Sequence, residues 1–411
     1  MKVSVFNLGC KVNQYECDVI SEKLFFDGHN VVQDMERADA YILNTCAVTA
    51  EAERKSRQAV ARCRALNPDA KIFILGCASQ KNPESFIKDG VTYISGTAGK
   101  FAVTERLSDD GLTMNSSVLP NNYESGGITK PHRTRTFVKI QDGCDHFCSY
   151  CIIPYLRGRS RSRNIDDVVK EVSILADKTA EIVLTGVDIM AFGKDSGSSL
   201  TELMRALSVV DVRIRLGSVY AEKITEELLD AAFGLKKFCP HFHLSLQSGD
   251  DKVLKDMNRH YTAQDYLDKI RLIRKYDSLS AITTDVIVGF PTETEEAFVN
   301  TRNFVREAAF SDLHIFPFSA RGGTRAASLT QLPSEVVRTR KKILSEEKKI
   351  LHNAFLQANT NREHEVIIEE EKDGLRVGYS RNYIRIYTER NGGDVLITHP
   401  SVIYKDGLKE V

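Results

Sequence analysis

Short apolar runs alternate with longer amphipathic stretches over the first hundred residues. Runs of this length predict buried strands, and the apolar spacing of the stretches predicts helices. The predicted strands lie at residues 2–8, 40–44 and 71–75, and the predicted helices at 14–27 and 51–66. Because such alternation through short loops favours parallel strands, we expect a flavodoxin-like α/β sheet in an N-terminal domain of residues 1–108.

Between residues 109 and 132 this periodicity is lost. The segment contains Ser116-Ser117, Pro120-Asn121 and Ser125-Gly126-Gly127, which are typical of turns and irregular chain. The sequence therefore predicts a linker here.

Six further apolar strands alternate with helices in residues 133–345. They lie at residues 136–140, 181–184, 212–216, 243–246, 283–288 and 312–316. Six βα units indicate a partial (β/α)6 barrel, in which chemistry takes place above the carboxyl ends of the strands.

The tail, residues 346–411, has short strands instead. Asp373-Gly374 and Asn391-Gly392 are hairpin signals, and we expect a small antiparallel β-barrel. Alternation places Arg381, Tyr383 and Arg385 on one face, where guanidinium groups and rings could stack on RNA bases. A solvated face held by Arg–Tyr stacking explains the pattern equally well.

Composition and charge restrict the class of protein. The chain is 42% hydrophobic and 27% charged, which is ordinary for a soluble protein, and 56 basic residues balance 56 acidic ones. Nucleic-acid binding would thus depend on local patches. Since the nine cysteines are an odd number and no apolar run is long enough to span a bilayer, we expect a cytoplasmic monomer in a reducing compartment, with no membrane association.

Three cysteines follow the first barrel strand in a C-x-x-x-C-x-x-C loop. Cys144, Cys148 and Cys151 can hold an iron–sulfur cube by three corners and leave the fourth iron free. His146 lies inside the loop, so a Cys3His zinc site is the alternative.

A second group of three cysteines lies at the ends of the N-terminal strands. Cys10, Cys46 and Cys77 each follow a predicted strand, and parallel strands end at one edge of a sheet. This predicts a second three-thiolate site, although buried cysteines at strand ends can also be packing residues. The other cysteines share no such pattern and are predicted to be packing residues: Cys17, Cys63 and Cys239.

These motifs, in this order, resemble the radical S-adenosylmethionine methylthiotransferases over essentially the whole chain, with a final module similar to the TRAM domain. The resemblance implies two 4Fe-4S clusters. The cluster on Cys144, Cys148 and Cys151 is expected to bind S-adenosylmethionine and cleave it reductively to a 5′-deoxyadenosyl radical. The auxiliary cluster, on the N-terminal cysteines, is expected to present the sulfur that is methylated and inserted.

The resemblance also implies contacts with S-adenosylmethionine, mostly at the ends of the barrel strands. The implied residues are Tyr150, Thr185, Gly186, Gln247, Ser248, Val288 and Phe318. In two places the chain departs from the family pattern: Tyr220 stands where a glutamate is expected, and the segment Arg321-Gly322-Gly323 lacks the expected prolines.

Arginines follow the cysteine loop at alternate positions. Arg157, Arg161 and Arg163 could form a phosphate track, and with Arg381, Tyr383 and Arg385 of the tail they are the predicted RNA contacts. Internal ion pairs with acidic helix starts explain the arginine run equally well.

Residues 7–16 most resemble the branch of the family that acts on threonylcarbamoyladenosine in tRNA. The resemblance implies insertion of a methylthio group at C2 of this nucleoside at position 37, with an electron donor and a sulfur donor as further partners. Two substrates remain as alternatives: isopentenyladenosine in tRNA and a side chain of a ribosomal protein. An alternative of another class is a zinc-stabilised RNA-binding protein without catalysis.

Overall fold

The N-terminal domain contains one parallel sheet. The computed structural model describes residues 1–89 and 91–411. The strands are β1 (Lys2–Asn7), β2 (Asn30–Val32), β3 (Ala40–Thr45), β4 (Lys71–Gly76), β5 (Tyr93–Ser95) and β6 (Thr113–Asn115), and the helices are α1 (Lys11–Phe26), α2 (Ala50–Leu66) and α3 (Cys77–Lys81). The strand order is β2-β1-β3-β4-β5-β6, with every pair parallel, which confirms the predicted α/β sheet.

Part of the predicted linker belongs to this sheet. Strand β6 pairs with β5, although it lies within the segment 109–132. Farther along, the Tyr15 hydroxyl of α1 donates to the carbonyl of Gly126, and Glu22 accepts hydrogen bonds from Thr129. The segment is therefore fixed by partners on α1, which its own composition could not reveal.

The central domain is the predicted incomplete barrel. Its strands are β7 (Arg135–Lys139), β8 (Gln141–Asp142), β9 (Arg161–Ser162), β10 (Glu181–Thr185), β11 (Arg213–Leu216), β12 (Ser218–Val219), β13 (His241–Gln247), β14 (Ala281–Val288) and β15 (Asp312–Pro317). Its helices are α4 (Ile153–Arg157), α5 (Ile165–Ala176), α6 (Leu200–Ala206), α7 (Glu226–Phe233), α8 (Asp251–Asp256), α9 (Ala263–Tyr276) and α10 (Glu295–Ala308). Parallel strands run in the order β7-β10-β11 and then β12-β13-β14-β15, with a break at Gly217. Tyr15 and Val19 of α1 belong to the same apolar core, so the two domains share it.

A long helix, α11 (Ser334–Asn359), connects the barrel to the tail. The predicted boundary between residues 345 and 346 falls inside it. Leu344 is buried in the core of the barrel, whereas Leu356 is buried in the core of the tail. In the described residues, no helix is long and apolar enough to cross a membrane.

The tail folds into a sheet that is antiparallel except for one pair. Its strands are β16 (His364–Lys372), β17 (Leu375–Ser380), β18 (Arg385–Thr388), β19 (Val395–Thr398), β20 (Val402–Tyr404) and β21 (Gly407–Lys409). Asp373 and Gly374 have positive φ angles of 54° and 75° and form the predicted hairpin between β16 and β17. The hairpin expected at Asn391-Gly392 was wrong, because β19 pairs with β16 and β18 pairs with β21.

Candidate functional site

The loop that contains Cys144, Cys148 and Cys151 is held closed at its base. Strands β8 and β9 pair on either side of it. Gly143 has φ +73°, and a Cβ there would lie 1.9 Å from the carbonyl oxygen of Arg159. A larger residue cannot occupy this position without opening the loop. Burial raises the pKa of Cys144 to about 12, and the neighbouring thiols of Cys151 and Cys148 contribute.

Cys10, Cys46 and Cys77 lie at the ends of three adjacent strands. Strand β3 is paired on one side with β1 and on the other with β4, and their carboxyl ends are in register. Burial raises the pKa of Cys46 to about 11, with contributions from the thiols of Cys77 and Cys10. The structure thus brings these three cysteines together, as the sequence predicted.

The spacing of the sulfur atoms favours a cluster over a single ion. Thiolates that share one zinc lie about 3.8 Å apart, as Zn–S bonds of 2.3 Å require. Among the described residues, two groups of three ligand atoms lie within 4.8 Å of one another: Cys144, His146 and Asp188, and His243, Asp285 and His314. Neither group contains two cysteines. Among the described residues, neither triad therefore has the close spacing that one zinc ion requires. An iron–sulfur cube binds each thiolate to a different iron and does not require that spacing.

Each triad has one sulfur that accepts a hydrogen bond from a buried arginine. The Nε of Arg157 lies 3.3 Å from the Sγ of Cys77, and the Nη1 of Arg259 lies 3.6 Å from the Sγ of Cys148. A cation beside a sulfur stabilises the thiolate, which is the form that binds iron. No sequence pattern had indicated Arg259.

The predicted phosphate track is wrong. Arg157 is 1%, Arg161 5% and Arg163 7% exposed. Arg157 forms ion pairs with Glu16 and Asp142. Arg161 donates to the carbonyls of Arg157 and Arg159, and Arg163 pairs with Glu171. Arg157 ends helix α4 and Arg159 is exposed, so the arginines do not share one face of an extended segment. The buried arginines form internal ion pairs, but with Glu16, Asp142 and Glu171 rather than with the acidic helix starts.

Arg157 is part of a buried ionic network between the two domains. Glu16 of α1 accepts from Lys100 at 2.5 Å, Lys139 at 3.1 Å and Arg157 at 3.2 Å. Asp142 is 2.7 Å from Lys139 and 2.9 Å from Arg157. Although burial opposes ionisation, Lys100, Arg157 and Lys139 hold the pKa of Glu16 below its ordinary value.

The two cysteine triads lie on opposite sides of this domain interface. Ile152 and Leu156, which follow the loop, pack in the same apolar cluster as Cys77 of the N-terminal domain. Thr97 donates a hydrogen bond to the carbonyl of Leu156. Burial raises the pKa of Cys151 to about 12, and Cys77 is among the thiols that contribute. Cys77 and the residues that directly follow the cysteine loop thus pack together at this interface.

The residues expected to contact S-adenosylmethionine lie in the cysteine loop or at the carboxyl edge of the barrel. They are Tyr150 in the loop, Thr185 and Gly186 at β10, Gln247 and Ser248 at β13, Val288 at β14 and Phe318 after β15. Tyr150 and Phe318 pack against one apolar cluster, and the amide of Phe318 donates to the carbonyl of Val288. Gln247 has φ +74°, and a Cβ on Gly186 would lie 2.9 Å from Gln141. Backbone strain and close approach at these positions are typical of a binding site.

Tyr220, one of the departures from the family pattern, lies beside the cysteine loop. Its ring stacks on His146 with a centroid distance of 4.1 Å, and the guanidinium carbon of Arg259 lies 4.4 Å from its centroid. The Nε2 of His146 is 3.0 Å from Asp188. His146 is therefore occupied by a stacking contact and a carboxylate.

The predicted RNA-binding face of the tail packs against the barrel instead. Tyr383 lies in a turn with φ +66°, outside β18, and its ring stacks on Tyr379 and His241 with centroid distances of 4.9 Å and 4.7 Å. Arg381 donates to the carbonyl of Phe238, and Arg385 pairs with Glu370 and Asp406. Arg381 and Tyr383 thus contact the barrel, whereas the ion pairs of Arg385 lie within the tail and its assignment to RNA stays a prediction.

A cavity of about 930 Å³ lies between the inner face of the barrel strands and the tail. Lys11, the residue after Cys10, reaches it from the N-terminal domain. Within the cavity, Asp285 is 3.3 Å from both His243 and His314. Although burial opposes ionisation, hydrogen bonds with the two histidines keep the pKa of Asp285 below its ordinary value. Neither this group nor Lys11 was identified from the sequence as a site.

Two family models match the chain. The Radical SAM superfamily model matches residues 138–305, and a model described as Uncharacterized protein family UPF0004 matches residues 2–96. Each match contains one of the two cysteine triads.

Relatives of known function match nearly the whole chain. Threonylcarbamoyladenosine tRNA methylthiotransferase MtaB of Aquifex aeolicus is 35% identical over 403 residues, covering 95% of this chain and 97% of that protein. The tRNA-2-methylthio-N(6)-dimethylallyladenosine synthase of Thermodesulfovibrio yellowstonii is 32% identical, covering 96% and 94%. The solved structure of the radical S-adenosylmethionine methyltransferase TsrM from Kitasatospora setae, with cobalamin and a 4Fe-4S cluster, is similar in fold, with a TM-score of 0.58 at 14% identity over 79% of this chain and 74% of that one.

Proposed function

This chain belongs to the radical S-adenosylmethionine tRNA methylthiotransferase family, and we propose that it inserts a methylthio group at C2 of N6-threonylcarbamoyladenosine at position 37 of tRNA. The observation that carries this proposal is the pair of cysteine triads on opposite sides of one domain interface. Threonylcarbamoyladenosine is the substrate named for the relative that is 35% identical.

The two triads have separate roles in this proposal. Cys144, Cys148 and Cys151 would hold the cluster that binds S-adenosylmethionine, and Cys10, Cys46 and Cys77 would hold the auxiliary cluster. When bound, the clusters and S-adenosylmethionine supply the radical chemistry that activates the C2–H bond and the sulfur that replaces the hydrogen. An electron donor and a sulfur donor are then partners of the chain besides tRNA.

The chain's own residues position and shield these groups. Arg157 and Arg259 each place a guanidinium group beside a sulfur. The strand-end residues from Thr185 to Phe318 would contact S-adenosylmethionine. At Gly186 the absence of a side chain leaves room for Gln141 and Ile189, which a Cβ would meet at 2.9 Å. Burial of Cys144 and Cys148 would limit the access of water to the first cluster, whereas the auxiliary site is open at Cys10, which is exposed.

Incubation with tRNA tests the substrate. We expect the reconstituted protein, with S-adenosylmethionine and a reductant, to convert tRNA that carries threonylcarbamoyladenosine to its 2-methylthio derivative, detected by mass spectrometry of the nucleosides. The control is the same tRNA carrying isopentenyladenosine. Product from the isopentenyl tRNA alone would transfer the chain to the other branch of the family.

Metal analysis tests the cofactors. Two 4Fe-4S clusters correspond to about eight iron and eight sulfide ions per chain, and we expect a brown protein with this content after anaerobic purification. Replacing Cys10, Cys46 and Cys77 together by alanine should halve the iron content. A colourless protein that contains zinc would contradict the proposal.

A further inference from the structure

Among the basic side chains that line the cavity between the barrel and the tail, Lys11 differs from the others in its lack of an ion-pair partner within the described residues. Six lysines and arginines line the cavity: Lys11, Arg133, Arg135, Arg215, Lys348 and Arg385. Five of them form an ion pair with a carboxylate. The pairs are Arg133–Asp18, Arg135–Glu369, Arg215–Glu181, Lys348–Asp312 and Arg385–Asp406. The ammonium group of Lys11 has no hydrogen-bond or ion-pair partner within residues 1–89 and 91–411.

The helix that carries Lys11 does not compensate its charge. Lys11 is the first residue of helix α1, which has no acidic residue in its first turn and no side chain that caps its start. The positive end of the helix therefore adds to the charge of the ammonium group. Arg135 and Arg215 are also among its charged neighbours. Glu181 acts in the opposite direction. An anion that enters the cavity would thus meet a cation that has no ion-pair partner in the part of the chain that the structure describes.

We propose that Lys11 binds the carboxylate of the threonylcarbamoyl group and that this cavity is the pocket for the substituent on N6 of the substrate adenosine. The inference rests on the proposed function, because it uses the chemistry of that substrate. The threonylcarbamoyl group carries a carboxylate, a hydroxyl and a urea, whereas the dimethylallyl group is apolar and uncharged. Lys11 is then the residue that distinguishes the two kinds of tRNA.

The rest of the cavity suits a polar ligand of this size. Its volume, about 930 Å³, lies within the range of ligand pockets. His243 contacts Thr283 and Asp285 with its two ring nitrogens, whereas His314 contacts Asp285 through Nδ1 and offers Nε2 for the hydroxyl or urea group. Lys11 directly follows Cys10, so a group held by Lys11 lies next to the auxiliary triad.

Binding of two matched RNAs to the holoenzyme tests the role of Lys11. The probes are anticodon stem-loops that carry either N6-threonylcarbamoyladenosine or its methyl ester, which removes one charge and keeps every phosphate. We expect the wild-type protein to bind the acid about 10- to 100-fold more tightly than the ester, the range for a hydrogen bond with a charged group. Lys11→Gln should bind the acid as weakly as the ester, and Lys11→Arg should recover part of the preference.

Lys23→Gln is the control, since Lys23 is exposed on the same helix and does not line the cavity. It should behave as the wild type does. Iron content is measured for each variant, because Lys11 adjoins Cys10. Equal affinity of the wild type for acid and ester would overturn the inference, as would equal weakening of both by Lys11→Gln, which indicates a structural role or contact with a phosphate. If either of these binding results is found but the wild type converts threonylcarbamoyl tRNA, only this inference fails. Conversion of isopentenyl tRNA alone contradicts the proposed function itself.

Discussion

Replacing Cys46 by alanine is expected to leave cleavage of S-adenosylmethionine intact and to abolish methylthio insertion, whereas Cys148→Ala should abolish both. The reason is that the two residues belong to triads on opposite sides of the interface, each able to hold a cluster of its own. Cleavage is measured as 5′-deoxyadenosine by chromatography, and insertion as the modified nucleoside by mass spectrometry. Both are all-or-none effects, the largest expected for any single substitution in this chain.

Cys63→Ala is the matched control for these variants. Cys63 is fully buried in the apolar core of the N-terminal domain and lies outside both triads. Its replacement should lower stability slightly and leave iron content, cleavage and insertion in place. If Cys46→Ala and Cys148→Ala lose cleavage to the same extent, the separate roles of the two triads are disproved.

Glu16→Gln is expected to destabilise the protein by about 3–5 kcal/mol, the usual cost of leaving buried charges without their partner. Glutamine keeps the volume of the side chain, but Lys100 then loses its ion pair, and Lys139 and Arg157 each lose one of the two carboxylates that they contact. Since Arg157 also donates to Cys77, we expect iron to be lost more readily from this variant. Anaerobic urea unfolding, followed by fluorescence and by iron release, measures both effects.

The pH dependence of this variant provides a further check. The pKa of Glu16 is lower in the folded protein than its unfolded value of about 4.3. The stabilisation by Glu16 is therefore complete above the unfolded pKa and is lost as the pH falls through the folded pKa. The difference in the free energy of unfolding between the wild type and Glu16→Gln should thus become smaller in acid. Glu105→Gln, at an exposed position, should change stability by less than about 0.5 kcal/mol. A similar effect at both positions would mean that the network contributes nothing specific.

The arginines show where reasoning from the sequence reaches its limit. Alternation predicted one exposed face for the arginines, but Arg157 ends a helix and is buried with Arg161 and Arg163, because a period along the chain cannot say whether a residue meets solvent or another domain. For the same reason Arg381 and Tyr383 of the tail were assigned to RNA although they pack on the barrel. An arginine that binds phosphate and one that binds a buried carboxylate look the same in the sequence.

The sequence by itself determined the strands that end at the cysteines, the main strands of the barrel and the parallel pairing in the first two units, because these depend on local periodicity and on the rule that parallel strands end at one edge. Only the tertiary structure decided what lies between the domains. Residues far apart in the chain form the ion pairs of Glu16 and the contacts of Arg157 and Arg259 with sulfur. The ammonium group of Lys11 reaches the cavity without an ion-pair partner among the described residues. Such contacts are fixed by how the domains pack, and no local pattern encodes them.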